Sequence, residues 1–309
     1  MKRKIVIISG PTASHKSILA DLVKNEVAVD AAIVNIDSMQ VYDSLPILTA
    51  LPKNFHENFL FAYKKFYNKC SAGIWLEDFN NLVSNELKNK ELIIVVGGTG
   101  LYIKSLIYGL SNIPSIPSKV RSDVLKKFDK DGREEFYKFL CDIDPKCIKK
   151  IHPSDKQRML RAAEVVEHTG RSIYSYSSKN IQNKEYNCMH LSLTPDRDYL
   201  YNNCNIRFKM MCEEGAVEEV IAFSTLVENK GSHMIEKALG YQDLYDYLCG
   251  KTDFGSAVES AQQKTRNYAK RQMTWFRSQK EAKLINFDRY SSHLEKEVLL
   301  YVSSFIGGV

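Results

Sequence analysis

The chain has 309 residues, of which 44% are hydrophobic and 26% charged; this composition is typical of a globular protein and excludes a wholly disordered chain. The net charge of +6, from 43 basic and 37 acidic residues, is too small to indicate a nucleic-acid partner by itself. No stretch approaches the roughly 20 apolar residues of a membrane helix, and the N-terminal apolar run is too short for a signal peptide. We therefore expect a cytoplasmic protein with no membrane association.

Three apolar segments rich in valine and isoleucine predict the first strands of a sheet: Lys4–Ile8, Ala31–Ile36 and Leu92–Val96. Continuous runs of this kind are typical of parallel strands that are covered on both faces. Helical spacing follows the first and third runs, and strands that alternate with helices indicate an α/β fold. Because ligands of such folds bind at the carboxyl ends of the strands, we expect the loop after Gly10, Asp37 and Gly97–Thr99 to meet at one rim.

The middle of the chain predicts a helical insertion. A turn-rich hinge, Ile113–Ser118, opens a stretch of helical spacing, and residues 113–185 contain 16 Lys and Arg against 11 Asp and Glu. Cys188–Leu193 then predicts a short strand that rejoins the sheet. We therefore expect a core formed by residues 1–112 and 186–309, with an inserted helical domain at 113–185.

The last third of the chain has mostly helical spacing and a second basic region. Lys264–Lys280 contains six basic residues and no acidic one, whereas Ser177–Asn187 is polar and predicts a loop. Two basic regions can form a surface for phosphates, but they can also be two solvated helix faces. Charge alone leaves both interpretations open.

The loop after the first strand nearly matches the phosphate-binding pattern Gly-x-x-x-x-Gly-Lys-Ser/Thr. Its residues are Gly10, Pro11, Thr12, Ala13, Ser14, His15, Lys16 and Ser17. Backbone N–H groups at a helix N-terminus and Lys16 would hold an anion, and the Ser17 hydroxyl would bind Mg²⁺ or a phosphate.

One residue departs from the phosphate-binding pattern, because His15 replaces the second glycine. Histidine tolerates left-handed backbone geometry better than most residues, so the loop conformation is compatible with it. The ring would either crowd the phosphate or lend it partial positive charge.

Further motifs along nearly the whole chain accompany this loop. They are Asp37-Ser38-Met39-Gln40-Val41-Tyr42, Gly97-Gly98-Thr99-Gly100-Leu101-Tyr102, His152-Pro153-Ser154-Asp155-Lys156-Gln157-Arg158, Arg161-Ala162-Ala163-Glu164-Val165, Leu239-Gly240-Tyr241 and the segment Arg266–Arg277. Together with Gly10–Ser14, these motifs resemble the tRNA dimethylallyltransferases, also called tRNA isopentenyltransferases, in their bacterial or organellar form. The resemblance implies a P-loop NTPase-like parallel sheet with flanking helices and an inserted helical domain.

The resemblance also implies a reaction. A dimethylallyl group would pass from dimethylallyl diphosphate to the N6 amine of the adenosine adjacent to the anticodon (tRNA position 37), in tRNAs that read codons beginning with U. The loop would hold the diphosphate leaving group together with Mg²⁺, without ATP hydrolysis. The implied partner is the anticodon stem-loop of tRNA, and we expect the protein to act as a monomer.

The resemblance assigns roles to individual residues. Asp37 would accept the proton that the amine loses, with Lys16 and Thr99 as further catalytic residues. The tRNA contacts would be Asp37, Ser38, Met39, Gln40, Thr99, Arg121, Gln157, Arg158, Met159, Leu160 and Arg161. Other interpretations remain open: Asp37 as a residue that orders Mg²⁺ or caps a turn, Thr99 as a helix cap, and the arginines as solvated helix residues.

Some positions depart from the family pattern, which keeps other functions open. The family commonly has Gly-Thr-Ala-Lys-Pro after the Asp-Ser motif, and this chain has Leu48-Thr49-Ala50-Leu51-Pro52. With His15, these changes lie on the diphosphate and prenyl side of the implied site. The alternatives are a non-catalytic tRNA-binding relative with a degraded diphosphate site, and a small-molecule P-loop kinase or nucleotide prenyltransferase.

Overall fold

The computed structural model describes residues 2–176, 185–227 and 233–307. The chain divides into two compact units. Met1–Ile107 and Asn183–Val309 form one, here called the core unit, and Tyr108–Gln182 forms the other, here called the inserted unit. Most of the loop predicted at Ser177–Asn187 lies outside the described residues.

A parallel sheet of five strands, within the described residues, forms the centre of the core unit. Its order is β2-β3-β1-β4-β5 and every neighbouring pair is parallel. The strands are β1 (Arg3–Ser9), β2 (Ala31–Asn35), β3 (Leu92–Gly97), β4 (Tyr186–Pro195) and β5 (Lys283–Phe287). The first three confirm the strands predicted from valine and isoleucine runs, and β4 confirms the short strand predicted at Cys188–Leu193. In contrast, β5 falls in a segment predicted to be mostly helical.

Ten helices occur in the part of the chain that the structure describes. They are α1 (Lys16–Glu26), α2 (Ala72–Asn85), α3 (Gly100–Tyr108), α4 (Ser118–Ile143), α5 (Lys156–Thr169), α6 (Arg197–Glu213), α7 (Ala216–Val227), α8 (Tyr241–Leu248), α9 (Phe254–Arg277) and α10 (Ser292–Gly307). Helices lie on both sides of the sheet, so the predicted α/β fold with flanking helices is confirmed.

The alternation of side chains along β1 divides the core between the two faces of the sheet. Val6 and Ile8 belong to an apolar cluster with residues of α1 and α10, including Leu19 and Val298. Ile5 and Ile7 are equally buried but lie outside that cluster, as expected for the opposite face. Burial on both faces explains why the strands contain continuous apolar runs.

The inserted unit has an apolar core of its own. Phe136 and Leu140 of α4 pack with Met159 and Ala162 of α5, and none of the four is exposed. Gly132 interrupts the helical geometry of α4 with φ 77° and ψ 174°. This unit contains the basic segment that the sequence predicted as an insertion.

Among the described residues, no helix combines the length and the apolar character that crossing a membrane requires.

Candidate active site

The carboxyl ends of β1, β2 and β3 meet at one rim of the sheet. The N–H of Ser38 donates to Thr99 Oγ1 at 2.9 Å, which joins the segments after β2 and β3. A Cβ atom at Gly98 would lie 3.1 Å from the carbonyl oxygen of Gly10, so the loops after β3 and β1 are in contact. The predicted convergence of the three segments is confirmed.

The loop between β1 and α1 contains two residues with left-handed backbone geometry. His15 has φ 63° and ψ 21°, the left-handed geometry that the sequence required of a glycine substitute, and it caps α1. Ala13 is also left-handed, with φ 61°. At Gly10 a Cβ would come within 2.8 Å of Ser14 Oγ, which explains the glycine at this position.

Lys16 is the cation of this loop, and it forms no ion pair with any acidic residue that the structure describes. Its ammonium donates to the carbonyl oxygen of Pro11 at 2.6 Å. Burial lowers the pKa of Lys16 to about 8, while the carboxylate of Asp37 raises it and the guanidinium of Arg207 lowers it further. An anion bound in the loop would stabilise the charged form of this lysine.

Arg207 on α6 is a second cation at the loop, and the sequence did not point to it. Its Nη2 donates to Thr12 Oγ1. Burial lowers the pKa of Arg207, whereas Cys204 and Asp37 raise it. No local motif surrounds this arginine, so only the docking of α6 against the loop identifies it.

Gln272 on α9 connects two of the three loops. Its Oε1 accepts the N–H of Thr12 at 2.8 Å, and its Nε2 donates to the carbonyl oxygen of Gly98 at 3.0 Å. The amide of Thr12 is therefore engaged by protein, so Thr12 anchors the loop, whereas the first amides of α1 have no partner within the helix. The Arg266–Arg277 motif contains Gln272, but its spacing gave no sign of this role.

The Asp37 carboxylate is held by its own turn. The buried Asn35 accepts the N–H of Asp37 at 2.8 Å and donates to the carbonyl oxygens of Asp37 and Leu60 at 3.0 Å each. Asp37 Oδ1 accepts the N–H of Met39 at 2.9 Å. Within the described residues Oδ2 makes no hydrogen bond, so this oxygen is open to accept a proton.

Thr99 and Tyr268 complete the surroundings of Asp37. The Thr99 hydroxyl accepts the N–H of Ser38 and lies 3.3 Å from the Ser38 hydroxyl. The side chain therefore bonds to Ser38 and does not cap the following helix. Burial and the nearby charge of Asp37 raise the pKa of Tyr268 on α9. The guanidinium of Arg271 lies 5.7 Å from the centre of the same ring.

The segment after Asp37 accommodates Leu48 and Leu51, the two leucines that depart from the family pattern. Glu219 on α7 accepts the N–H groups of Ile47 at 2.7 Å and Leu48 at 3.0 Å, and burial raises the pKa of its carboxyl. Leu51 packs against the apolar core of the sheet. Gln40 Nε2 donates to the carbonyl oxygens of Thr49 and Ala50, so its amide nitrogen braces this segment.

The imidazole of His15 is packed against α6. Its Nε2 lies 2.9 Å from the hydroxyl of Tyr199 and 3.2 Å from Nδ2 of Asn203, and its centre lies 5.0 Å from that of the Tyr290 ring. Burial lowers the pKa of His15, as do the charges of Lys16 and Arg207. The lowered pKa disfavours the charged ring, which argues against the expectation that it lends charge to a phosphate.

The residues predicted to contact tRNA in the inserted unit separate into exposed and buried ones. Arg121, Gln157 and Arg158 are exposed, and Arg161 is half-buried. Both α5 arginines pair with acidic residues three positions away on their own chain, Asp155 and Glu164.

Met159 and Leu160 face the other way from these exposed residues. Met159 has no exposed surface and Leu160 packs against the same apolar cluster. Helical periodicity turns these two side chains toward the core of the inserted unit, so nothing in their packing supports the predicted RNA contact, which stays a prediction.

Ser17 is the residue predicted to bind Mg²⁺. Its hydroxyl, in the first turn of α1, makes no hydrogen bond within the described residues. Among those residues no three His, Cys, Asp or Glu side chains form a metal-binding group. An uncommitted oxygen beside an anion site fits Mg²⁺, which binds through few protein oxygens together with phosphates and water.

An open cleft lined by polar and basic side chains lies on α9. Asn267, Lys270, Arg271 and Thr274 line it, and Lys270 and Arg271 are exposed. Arg271 also contacts the ring of Tyr268, beside Asp37.

Known proteins resemble this chain over most of its length. The family model described as IPP transferase matches residues 40–279. A tRNA dimethylallyltransferase of Wolbachia pipientis subsp. Culex pipiens is 40% identical over 282 residues, which cover 90% of this chain and 94% of that protein. One of Anaplasma phagocytophilum is 35% identical and covers 99% of this chain and 97% of its own length.

Solved structures have the same fold. The full-length tRNA isopentenylpyrophosphate transferase of Bacillus halodurans has a TM-score of 0.70 at 28% identity, covering 99% of this chain and 98% of that chain. A eukaryotic dimethylallyltransferase acting on tRNA has a TM-score of 0.82 at 22% identity, covering 99% of this chain and 80% of that chain. At that identity the second likeness concerns the fold alone.

Proposed function

This chain belongs to the IPP transferase family, as its motifs predicted, and from that membership we propose how its site works. Its activity is the transfer of a prenyl group to tRNA. We propose that the donor is dimethylallyl diphosphate and that the acceptor is the N6 amine of the adenosine adjacent to the anticodon, in tRNAs that read codons beginning with U.

The observation that supports this reaction most is a pair of cations beside a carboxylate. Lys16 and Arg207 lie at one loop, and neither forms an ion pair within the described residues. The charge of Asp37 acts on both. An anionic leaving group would fit the two cations and the N-terminus of α1, and the carboxylate would face the nucleophile.

The bonds change in one displacement. The nitrogen lone pair of N6 attacks the first carbon of the dimethylallyl group, and the bond between that carbon and the diphosphate oxygen breaks. The diphosphate leaves with the electron pair, and Lys16, Arg207 and the helix N-terminus stabilise the charge that develops on it. The proton that N6 loses passes to Oδ2 of Asp37.

Mg²⁺ would be held by the Ser17 hydroxyl and by the substrate. When bound, the ion neutralises part of the diphosphate charge. Ser17 contributes one oxygen donor next to Lys16, whereas the remaining ligands would come from the diphosphate and water.

The proposed tRNA contacts include residues of the inserted unit and residues of the core unit. Arg121, Gln157, Arg158 and Arg161 of the inserted unit are candidates for the anticodon loop, because single-stranded RNA loops are the usual targets of specific contacts. On the core unit, Ser38, Met39 and Thr99 lie around Asp37, where the extruded adenine would have to enter. A monomer remains our expectation for the oligomeric state.

A product assay tests the proposed reaction. The protein is incubated with dimethylallyl diphosphate, Mg²⁺ and an anticodon stem-loop that has adenosine after the anticodon, and the nucleosides are analysed by mass spectrometry. We expect that adenosine to gain one C5H8 unit, while a matched stem-loop with guanosine at this position stays unchanged. Binding of the stem-loop without any product would instead support the non-catalytic relative.

A further inference from the structure

One face of α6 contacts the phosphate-binding loop at both ends. Tyr199, Asn203 and Arg207 are four residues apart, so they line one side of the helix. Arg207 donates to the Thr12 hydroxyl near the start of the loop, whereas Tyr199 and Asn203 reach His15 at its end. The helix that provides the second cation therefore also holds the residue that replaces the family's glycine.

Two side chains of α6 lie within hydrogen-bond distance of the His15 ring. The backbone N–H of Tyr290 donates to the Tyr199 hydroxyl oxygen at 3.1 Å, and the same hydroxyl lies 2.9 Å from Nε2 of His15. Asn203 Nδ2 donates to the same nitrogen at 3.2 Å. Because an amide nitrogen can only donate, Nε2 accepts in this contact, which places the proton of the imidazole on Nδ1.

The backbone of His15 explains why such contacts matter. The residue has φ 63°, a conformation that glycine adopts freely and that L-residues with side chains rarely populate. It immediately precedes Lys16 and caps α1, so its geometry sets the direction of the amides and the lysine that face the anion. With glycine this geometry would be one of several, whereas the ring contacts select it.

We propose that His15 is a positioning residue that locks the phosphate-binding loop to α6, and so keeps the α1 amides and Lys16 aligned with Arg207 for diphosphate. This inference rests on the proposed function, in which the loop holds the diphosphate of the prenyl donor. It replaces both sequence-based expectations for His15, because the ring makes its contacts with α6 and Tyr290. The residue is neither a crowding group nor a charge on the ligand, and it never touches the reacting atoms.

A double-mutant cycle tests whether the contact between His15 and α6 positions the loop. The Kd of inorganic pyrophosphate with Mg²⁺ is measured by calorimetry for the wild type, His15→Gly, Tyr199→Phe and the double variant. His15→Gly removes the contacts with Tyr199 and Asn203, and Tyr199→Phe removes those with His15 and the Tyr290 N–H, so we expect each to bind pyrophosphate about fivefold to thirtyfold more weakly. The double variant is expected to bind within about twofold of the weaker single variant, because the two side chains act through one contact.

Matched controls separate positioning from general damage. Tyr247→Phe removes a hydroxyl from a tyrosine on α8 whose ring contacts Phe254, and it is expected to leave pyrophosphate binding unchanged. His15→Asn keeps tolerance of the left-handed backbone without the ring and is expected to resemble His15→Gly. In the transfer reaction, His15→Gly should raise the KM for dimethylallyl diphosphate while the rate at saturation changes by less than about threefold.

The outcomes distinguish this inference from the proposed function. The positioning role of His15 would be overturned if His15→Gly bound pyrophosphate as tightly as the wild type or more tightly. It would also be overturned if the fold-losses in affinity of the two single variants multiplied in the double variant. Either result would leave the proposed diphosphate site in place. A wild-type protein that does not bind pyrophosphate at all would overturn both.

Discussion

At the scale of single residues, Asp37 combines a fixed carboxylate with one open oxygen. Oδ1 accepts the Met39 N–H, and Asn35 holds the backbone on either side. Replacing Asp37 by alanine removes the proposed proton acceptor but none of the proposed RNA contacts in the inserted unit. We expect the single-turnover transfer rate to fall by about a hundredfold to ten-thousandfold, with tRNA affinity within about twofold of the wild type.

Asp43→Asn is the control for this substitution. Asp43 lies six residues further along the chain and pairs with Lys65 at 2.7 Å. Its change should leave the transfer rate unaltered. An Asp37→Ala protein that retains more than about half of the wild-type rate would remove Asp37 from the role of base.

His190 makes the stability of the core unit depend on pH. It is buried beneath the rim, its Nε2 lies 2.8 Å from Ser9 Oγ, and burial lowers its pKa to about 4. In the unfolded chain this histidine binds a proton near pH 6.5, whereas in the folded chain it stays neutral down to about pH 4. Its contribution to stability is therefore lost as the pH falls from 6.5 to 4. Between pH 7 and pH 5 we expect the free energy of unfolding to drop by about 2 kcal/mol through this residue.

Urea unfolding at both pH values measures this drop. His190→Gln keeps a polar partner for Ser9 without a titrating group, so its drop should be smaller by that amount. His152→Gln, at an exposed position of the inserted unit, should behave as the wild type. Equal drops for His190→Gln and the wild type would contradict the buried, neutral state of His190.

The sequence predicted the site residues that lie in short motifs near the strand ends. It did not predict those that lie on distant helices. Lys16 and Asp37 follow strands in recognisable patterns, and the structure brings both to the rim. Arg207 and Gln272 reach the same loop from helices about 200 residues or more further along the chain. No local spacing encodes such a contact, because it depends on how α6 and α9 pack on the sheet.

At the scale of elements, the contact between α3 and α9 depends on one glycine. A Cβ at Gly100 would lie 2.6–2.8 Å from three atoms of the Trp275 indole. Gly100→Ala must therefore displace a large ring or the start of α3, and overpacking of this kind costs about 1–3 kcal/mol. We expect urea unfolding to report a loss of that size.

The comparison for Gly100→Ala is Gly307→Ala. A Cβ at Gly307 meets nothing within 4 Å, so this change should be close to neutral. Equal stability of the Gly100→Ala protein and the wild type would mean that the indole ring can move aside without cost.

The exposed face of α5 provides a test of RNA binding by the inserted unit. Arg158→Ala combined with Arg161→Ala should weaken tRNA binding and reduce the magnitude of its salt slope by about 1.4, because two phosphate contacts with single-stranded RNA are lost. Filter binding across a series of salt concentrations gives this slope.

Lys88→Ala combined with Lys251→Ala lowers the net charge by the same amount on the core unit. This control should leave the salt slope nearly unchanged. An unaltered slope for the arginine pair would place both arginines on a solvated face without contact to RNA.

Elements were predictable where their apolar pattern was long or followed by glycine. β1 and β3 have continuous apolar runs that end in glycine motifs, and both were predicted. β5 has five residues, of which only Ile285 is buried, so its pattern is too weak to distinguish from a helix. Its pairing with β4 decides its conformation, and that pairing is a long-range contact.

At the scale of the whole molecule, the site is assembled in the core unit from segments spread over most of its sequence. β1, β2 and β3 bring the phosphate-binding loop, Asp37 and Thr99 to one rim, and α6 and α9 add Arg207 and Gln272. In the proposed reaction, the two cations would stabilise the leaving group and the carboxylate would face the nucleophile. The central claim is that both cations act on the diphosphate as it leaves.

The single-turnover transfer rate at saturating dimethylallyl diphosphate and tRNA tests this claim most directly. Lys16→Gln and Arg207→Gln each remove one charge while keeping a polar side chain. Because the loss of one donor to a developing anion typically costs about a hundredfold to a thousandfold in rate, we expect each variant to slow transfer by that much with tRNA affinity unchanged. Rates within about threefold of the wild type for both variants would contradict the account.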